Sequence, residues 1–289
     1  MEIIDSQVHL YERNRPARPW LAAESPLYRT MGGSANKAFS QLSARAEVTA
    51  EDMLEHMRKI GVDAAVVVPP YSIYGYDSSY AFEVAAKYPS KFVVVAPVDP
   101  DAPDIVEQIR SWRSRPGALG VRLVIWTPRD WSRLREGEFD PLFRTAEAAE
   151  VPVSINAPGH ANDVGKLAQT YSNLQLILDH LGMATDGDPT WAGIDQSIAL
   201  AVNPNVAVKI SAVPVHSRQA FPFQDVWAPL HRVMDAFGIE RCIWGSDWTR
   251  VSSHSYSEAL RYLTESTELS VSEKAQILGS NLRRVLRWR

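Results

Sequence analysis

Eight short apolar runs, separated by segments with helical periodicity, constrain the fold of this 289-residue chain more than any other feature. Most of these runs are rich in β-branched residues and continuously apolar, which is typical of parallel strands that are buried on both faces. The runs cover residues 2–5, 62–69, 92–98, 119–125, 151–156, 174–179, 206–211 and 242–245. Strands that alternate with helices predict an α/β fold with a parallel sheet.

The segments between the runs predict the helices of this alternation. In the first of them, Thr49 followed by Asp52 is a capping pattern, and Met53 and Met57 lie on one apolar stripe. The predicted helices cover residues 49–60, 79–88, 102–115, 140–150, 161–171, 194–202, 225–237, 257–264 and 272–278, before a C-terminal turn. Eight strand–helix units predict a (β/α)8 TIM barrel, a fold that forms one domain of about 250 residues.

The organisation of the chain favours one domain over residues 1–289. No Pro-, Gly- or Ser-rich linker divides the sequence, and no repeat is visible. The first connection, residues 11–47, is unusually long and rich in Arg, Pro and Trp. Long connections in compact domains are usually functional or disordered. We therefore predict that this segment is a lid over the barrel mouth, with disorder as the alternative.

Composition excludes several classes of protein. The chain carries 30 Lys and Arg against 34 Asp and Glu, a net charge of −4, and its basic residues are scattered. This balance argues against nucleic acid or a membrane surface as the main partner. Cys242 is the single cysteine, so no intrachain disulfide can form, and the composition suits a reducing compartment. With no signal peptide or apolar span visible, we expect a cytoplasmic location.

Ionisable residues stand where three of the predicted strands end. Strand one leads into Gln7 and His9, strand six ends at His180, and strand eight is followed by Asp247. In an extended segment Gln7 and His9 face the same side. Chemistry in a barrel of this kind lies at the carboxyl ends of the strands, so these groups predict a catalytic site. Taken singly, a histidine here is more often a core residue, and Asp247 could instead cap a helix.

Seven motifs in order resemble the amidohydrolase superfamily (amidohydrolase family 2). The resemblance is greatest to the branch of 2-pyrone-4,6-dicarboxylate lactonase and related sugar-lactone and muconolactone hydrolases. The motifs are IIDSQVH at 3–9, YGYDSSY at 74–80, VDP at 98–100, GVRL at 120–123, LDHLG at 178–182, WGSDW at 244–248 and GSNLRR at 279–284. They cover nearly the whole chain.

The chain departs from the family pattern at two positions. The family's first strand normally ends in His-x-His, but here Gln7 replaces the first histidine. Strand five ends in Asn156, although the superfamily commonly supplies a histidine or a bridging lysine from the middle strands. The remaining ligands, His9, His180 and Asp247, could hold one divalent ion such as zinc or manganese. A pair of metals is not expected.

The resemblance also implies a route without a cofactor, which we favour over one bound metal ion. In this route Asp247 is the general base that activates water, and His180 and His9 polarise the carbonyl group that is attacked. Gln7 fits the same role, because its amide NH2 donates a hydrogen bond at any pH.

Arginines near the predicted mouth suit a substrate that carries a carboxylate, because guanidinium binds carboxylate in a bidentate fork. Arg122, inside strand four, is the strongest candidate, and its alternative is a salt bridge to a carboxylate of a neighbouring strand. Arg218 and Arg250 are weaker candidates on loops of the same face. Lys209, in strand seven, is interpreted as structural or substrate-contacting.

Aromatic residues cluster at the same face and suit a ring-shaped substrate. Tyr74 and Tyr76 follow strand two, Trp126 follows strand four and Trp248 follows strand eight, with Asn156 as a further polar contact. Three more histidines near strand ends are interpreted as loop residues; these are His160, His216 and His254.

These observations predict a hydrolase that opens a lactone or other cyclic ester, with a carboxylated ring compound as substrate. A metal-dependent decarboxylase of aromatic acids is the first alternative, and a binding protein that has lost catalysis is the second. The sequence shows no nucleophile elbow, phosphate loop or dinucleotide-binding motif. A homo-oligomer is left open.

Overall fold

The computed structural model describes residues 1–22, 39–40, 42, 44–185 and 187–289. Eight parallel strands form one sheet in chain order, each paired with the next. They are β1 (Ile4–Val8), β2 (Ala64–Val67), β3 (Phe92–Pro97), β4 (Ala118–Val124), β5 (Val153–Asn156), β6 (Leu176–Leu178), β7 (Val206–Ser211) and β8 (Cys242–Gly245). The predicted (β/α)8 TIM barrel is confirmed.

The last strand returns to the first, so the sheet curls into a nearly closed barrel. The Asp247 backbone N–H donates to the Gln7 carbonyl oxygen (3.0 Å), and the Ser246 N–H donates to Asp5 Oδ1 (2.9 Å). Gly245 permits this approach, because a Cβ there would lie 2.6 Å from the Ser6 hydroxyl oxygen. The junction places the chain after β8 directly beside β1.

Helices connect the strands. Those in the described part of the chain are α1 (Ala50–Ile60), α2 (Tyr71–Tyr74), α3 (Ser79–Lys87), α4 (Ile105–Arg110), α5 (Pro128–Arg135), α6 (Asp140–Ala148), α7 (Ala161–Thr170), α8 (Ile194–Ala199), α9 (Trp227–Phe237), α10 (Tyr256–Thr264), α11 (Val271–Ala275) and α12 (Asn281–Leu286). A π-helical segment, Gln276–Ser280, joins the last two. The predicted capping box at Thr49 and Asp52 is present at the start of α1.

Three differences separate the predicted elements from the observed ones. The first strand runs to Val8 instead of ending at residue 5, because its polar residues are buried rather than marking a loop. The short α2 and the whole of α5 were not predicted. Half of the residues of α5 are charged and only Trp131 is buried, so its apolar stripe is weak, although Thr127 caps it.

The apolar core has two layers. The larger layer packs the outer faces of the strands against the surrounding helices. The smaller layer fills the amino-terminal end of the barrel, where Leu282, Val285 and Leu286 of α12 pack on strand residues such as Ile4 and Ile243. Because the amino-terminal end is filled by apolar side chains, polar residues concentrate towards the carboxyl ends.

The first connection touches the opposite, carboxyl-terminal end. The Tyr11 and Val48 backbones bridge its two ends, and the Tyr11 hydroxyl donates to the Leu42 carbonyl oxygen (2.7 Å). Arg45 lies over the Trp248 ring at 4.4 Å. About half of the predicted lid, residues 23–38, 41 and 43, lies outside the described residues. The role of the segment therefore stays a prediction.

No helix in the described ranges has the length and apolarity that a membrane span requires.

Candidate active site

The three ionisable residues at the strand ends come together. His9 Nε2 lies 3.1 Å from Asp247 Oδ1, and His180 Nε2 lies 4.0 Å from Asp247 Oδ2. An Arg250 Nη atom is 3.6 Å from the same Oδ2. The Asp247 side chain is fully buried beneath these groups. No donor among the described residues makes a well-aligned hydrogen bond to either of its oxygens.

The backbone at these strand ends has an uncommon conformation. His180, Ala212 and Asp247, which follow β6, β7 and β8, have φ angles of 52°, 56° and 51°. Residues other than glycine rarely adopt this left-handed conformation, and it clusters at functional sites. Here it turns the backbone sharply at the barrel mouth after each of the three strands, and after β8 it sets the direction of the Asp247 side chain.

His9 is held in place through its ring and through its backbone. Its Nδ1 atom lies 2.7 Å from the Val68 carbonyl oxygen, which can only accept, so Nδ1 carries the hydrogen. The backbone N–H of His9 donates to the Thr249 hydroxyl oxygen (2.8 Å). These bonds from β2 and from the loop after β8 direct Nε2 towards Asp247.

His180 is held by Ser211 and is neutral. The Ser211 hydroxyl lies 2.8 Å from His180 Nδ1. Burial lowers the pKa of His180 to about 4, although the carboxylate of Asp247 opposes this shift. When Ser211 donates to Nδ1, the ring hydrogen lies on Nε2. A neutral imidazole with a hydrogen on Nε2 can donate to a ligand in the cavity.

Asp247 remains ionised although it is buried. Burial alone would raise the pKa of Asp247, but the contact with His9 and the positive charge of Arg250 hold it below its ordinary value. The group is therefore a carboxylate with free lone pairs at neutral pH.

Gln7 belongs to a buried network inside the barrel. Lys209 Nζ donates to Gln7 Oε1 (2.8 Å) and lies 3.0 Å from Asp179 Oδ1. The other oxygen of Asp179 accepts from Arg122 Nε (2.8 Å). All four side chains are buried, and Gln7 Nε2 has no acceptor among the described residues. Arg122 thus makes the salt bridge that was considered as its alternative role, and it also reaches the cavity described next.

A cavity of about 130 Å³ opens at the carboxyl ends of the strands. His9, His180, Arg122 and Arg250 line it, so polar and charged groups face the cavity. The remaining lining residues are Leu42, Pro70, Tyr71, Ser72, Trp126, Asn156, Pro158, Met183, Ala184 and Thr185. Leu42 belongs to the first connection, which therefore covers part of the cavity. The volume suits a single small ring.

Several residues predicted to bind substrate lie elsewhere. Tyr74 is tied to the first connection, with its hydroxyl accepting from the Glu12 N–H (2.9 Å). Tyr76 packs on Tyr71 and lines a neighbouring surface cavity. Arg218 is exposed on its loop, and Trp248 packs on other side chains outside the cavity lining. Of the predicted substrate-binding residues, Arg122, Trp126, Asn156 and Arg250 face the cavity.

Sequence reasoning did not assign four residues that shape the site. Asp179 pairs with Lys209 and Arg122, Ser211 holds His180, and Thr249 holds the His9 backbone. Thr185 accepts a hydrogen bond from Arg250. Only their positions at or after the ends of strands could have indicated from the sequence that these residues lie near the site.

The side chains do not form a metal site as they are arranged. Two imidazoles and a carboxylate are groups that zinc accepts. However, no group of three or more His, Cys, Asp or Glu side chains in the described ranges has the geometry to hold a metal ion. Gln7 stands two residues before His9 and offers a neutral side-chain oxygen, but this oxygen already accepts a hydrogen bond from the Lys209 ammonium. The arginine beside Asp247 further opposes a second cation.

Comparison with known proteins places this arrangement in a family. Residues 4–288 match the family described as amidohydrolase. The chain belongs to the amidohydrolase family. This amidohydrolase is 27% identical to 4-sulfomuconolactone hydrolase of Hydrogenophaga intermedia over 205 residues, which are 68% of the chain and 64% of that relative. The chain thus spans less than two thirds of that relative's length.

A second relative and three solved structures are also similar to the chain. L-fucono-1,5-lactonase of Burkholderia ambifaria is 24% identical over 80% of the chain and 82% of the relative. An amidohydrolase of Burkholderia multivorans with bound zinc has a TM-score of 0.78 at 21% identity, covering 99% of both chains. A probable 2-pyrone-4,6-dicarboxylic acid hydrolase of Acinetobacter baumannii, with citric acid bound, has a TM-score of 0.74 at 18% identity, covering the whole of both chains. 5-Carboxyvanillate decarboxylase of Sphingomonas paucimobilis has a TM-score of 0.67 at 14% identity, covering 99% of both chains.

The structural similarities, all below 25% identity, show the fold alone. The match over residues 4–288 shows the family, and the two named relatives are lactone hydrolases.

Proposed function

We propose that this amidohydrolase opens a lactone that carries one anionic group, by metal-independent attack of water. The observation that carries the proposal is Asp247, a buried carboxylate without an aligned donor, in contact with two imidazoles that line a small cavity. A base with free lone pairs beside a polar cavity suits abstraction of a proton from water.

The proposed reaction assigns one step to each of these groups. Water attacks the lactone carbonyl carbon, and Asp247 Oδ2 takes its proton as the new C–O bond forms. His180 Nε2 and Gln7 Nε2 donate to the carbonyl oxygen, where negative charge develops. When the ring C–O bond breaks, the proton on Asp247 passes to the leaving oxygen. The product is one open-chain molecule with a hydroxyl and a carboxylic acid, and the acid releases its proton to solvent as it becomes a carboxylate.

His9 receives a different part of the task. Sequence analysis grouped it with the residues that polarise the carbonyl, but its Nε2 faces Asp247 Oδ1. We assign it to holding Asp247 so that Oδ2 remains available to water. Its ring still lines the cavity, so it also shapes the space beside the carbonyl.

Charge in and below the cavity supports an anionic substrate. Arg122, Lys209 and Arg250 are cationic, whereas Asp179 and Asp247 are the carboxylates paired with them. One positive charge is left over before any charge on His9 is counted. Unbalanced buried charge is costly, so an anion in the cavity is favoured. The Nη atoms of Arg122 have no hydrogen bond to another described residue and suit a carboxylate or sulfonate.

A panel of lactones tests the function. Proton release at constant pH is measured for five- and six-membered lactones with and without a carboxylate, using protein whose metal content has been determined before and after chelation. We expect hydrolysis of anionic lactones that persists in metal-free protein. Loss of activity on chelation, restored by zinc or manganese, would overturn the metal-independent route. Release of carbon dioxide from aromatic acids without lactone hydrolysis would favour the decarboxylase alternative.

A further inference from the structure

Lys209 is a buried ammonium that the proposed reaction does not use. It lies in β7 with 1% of its surface exposed, near the centre of the barrel. Its Nζ contacts come from Gln7 in β1 and from Asp179 at the end of β6. Burying an ammonium costs free energy even when it is paired, and burial lowers the pKa of Lys209 against the opposing charge of Asp179. Because the buried ammonium costs free energy, we expect its contacts to have a specific role.

The contact with Lys209 fixes which way the Gln7 amide faces. An ammonium can only donate, so the oxygen of the amide must face Lys209 and its NH2 must face away. The two ends of an amide have nearly the same shape, and packing alone would not distinguish them. Gln7 Nε2 is buried and has no acceptor among the described residues. The structure therefore holds a donor ready for an acceptor that the described residues do not supply.

We propose that Lys209 is a positioning residue that fixes the Gln7 amide so that its NH2 donates to the reacting carbonyl oxygen. Lys209 thus acts on hydrolysis through Gln7, to which its Nζ donates. Neither side chain lines the cavity, so the proposal requires substrate binding to bring the carbonyl oxygen within reach of the Gln7 NH2. Asp179 holds the ammonium in place, and Arg122 binds the other Asp179 oxygen. The catalytic part of this inference rests on the proposed function, whereas the orientation of the amide does not.

Glutamine-selective ¹⁵N labelling tests the orientation without any assay of activity. The side-chain amide signals of Gln7 are identified by their loss in Gln7→Glu. We expect Lys209→Met to shift these signals and to speed their hydrogen exchange at least tenfold. Asn281→Ala is the matched control, because it removes buried hydrogen bonds to Ile239 and Cys242 far from the cavity. Gln7 signals that are the same in Lys209→Met and wild type would overturn the inference.

A double-mutant cycle tests the catalytic consequence. Gln7→Ala and Lys209→Met should each lower kcat about 100-fold, as expected for loss of one donor to a developing oxyanion, with KM changed less than threefold. The double variant should be no slower than Gln7→Ala by more than threefold, because Lys209 acts through Gln7. Independent effects that multiply would contradict the proposal.

Gln7→Glu keeps the test decisive if Lys209→Met does not fold. This variant preserves an oxygen facing Lys209 and removes the NH2, so its thermal midpoint should match wild type while kcat falls about 100-fold. Full kcat in Gln7→Glu would show that the amide NH2 is not needed and would overturn the catalytic part. If wild type hydrolyses no lactone, the proposed function fails, and the labelling experiment still decides whether Lys209 orients Gln7.

Discussion

His9 Nε2 lies 3.1 Å from Asp247 Oδ1, while Nδ1 of the same ring lies 2.7 Å from the Val68 carbonyl oxygen. Because Nδ1 donates to the carbonyl, a neutral ring would present a lone pair to the carboxylate. Nε2 is therefore the ring atom that faces Oδ1 of Asp247. The second oxygen of Asp247 faces His180 and Arg250 at 4.0 and 3.6 Å, and it is the oxygen to which we assign the proton of water.

The dependence of kcat/KM on pH should identify the base as a carboxylate. Asp247 has a pKa below its ordinary value, and burial lowers the pKa of His180 to about 4. Both groups keep the required state as the pH falls from 8 to 5, and they lose it only on further acidification. We expect kcat/KM for an anionic lactone to be flat from pH 5 to 8 and to fall below about pH 4.5. An acid limb centred near pH 6.5 would instead indicate an ordinary histidine as base.

Arg122→Gln should weaken binding of anionic lactones selectively. Asp179 keeps Lys209 as its partner in this variant, so we expect it to fold. Loss of a charged hydrogen bond costs about 1.5–3 kcal/mol, which corresponds to a KM raised about 10- to 150-fold. A neutral lactone should be affected less than threefold. The control is Arg218→Gln, an exposed arginine outside the cavity lining, and equal effects of the two substitutions would refute the assignment.

Gly245→Ala should disturb the junction of β8 with β1. The added Cβ would lie 2.6 Å from Ser6 Oγ and 3.1 Å from Gln7 Cβ, so the two strands must separate. Overpacking of this kind costs about 1–3 kcal/mol in the free energy of unfolding. Gly165→Ala in α7 is the matched control, because its Cβ meets only flexible side-chain ends at 3.3 Å or more. Denaturant unfolding of both variants measures the difference, and equal stabilities would contradict the close approach.

Asp5→Asn should stabilise the protein increasingly as the pH rises. Burial raises the pKa of Asp5 to about 6, above its unfolded value near 4. The folded state therefore favours the protonated group, and its contribution to stability is complete below about pH 4 and lost as the pH rises through about 6. Asparagine retains an acceptor for the Gln7 and Ser246 N–H groups without this titration.

The measurement for Asp5 is the difference in the free energy of unfolding between Asp5→Asn and wild type. It should grow by up to about 3 kcal/mol between pH 4 and pH 7 and remain constant above that, because one pKa unit is about 1.4 kcal/mol. A difference that does not change with pH would mean that Asp5 does not titrate in this range.

Local sequence pattern predicted the barrel because the apolar residues of each strand mark it within its own segment of the sequence. The same logic placed His9, His180 and Asp247 at one mouth, since in a barrel all strand ends meet at one face. It failed at β1, which was predicted to end at residue 5 because the residues that follow are polar. Asp5 and Gln7 are nevertheless buried inside the barrel, where Asp5 accepts from the Ser246 N–H and Gln7 Oε1 accepts from Lys209. Burial of paired polar groups leaves no local signal.

Contacts within the site were less predictable than its members. Lys209 and Gln7 are 202 positions apart, and only the closed barrel brings them together. Trp248 and Arg218 follow strand ends just as Asp247 does, but their loops turn these side chains away from the cavity. Sequence position therefore predicts that a residue lies near the mouth, whereas side-chain direction depends on tertiary packing.

The most direct test of the account is the rate of hydrolysis by Asp247→Asn on the best anionic lactone, measured with metal-free protein. Asparagine keeps the shape of the side chain and removes its basicity. The account predicts a kcat lowered by 10²- to 10⁴-fold with KM changed little, as for loss of a general base. Circular dichroism must show that the variant is folded. A folded Asp247→Asn protein that retains the wild-type kcat would contradict the central claim.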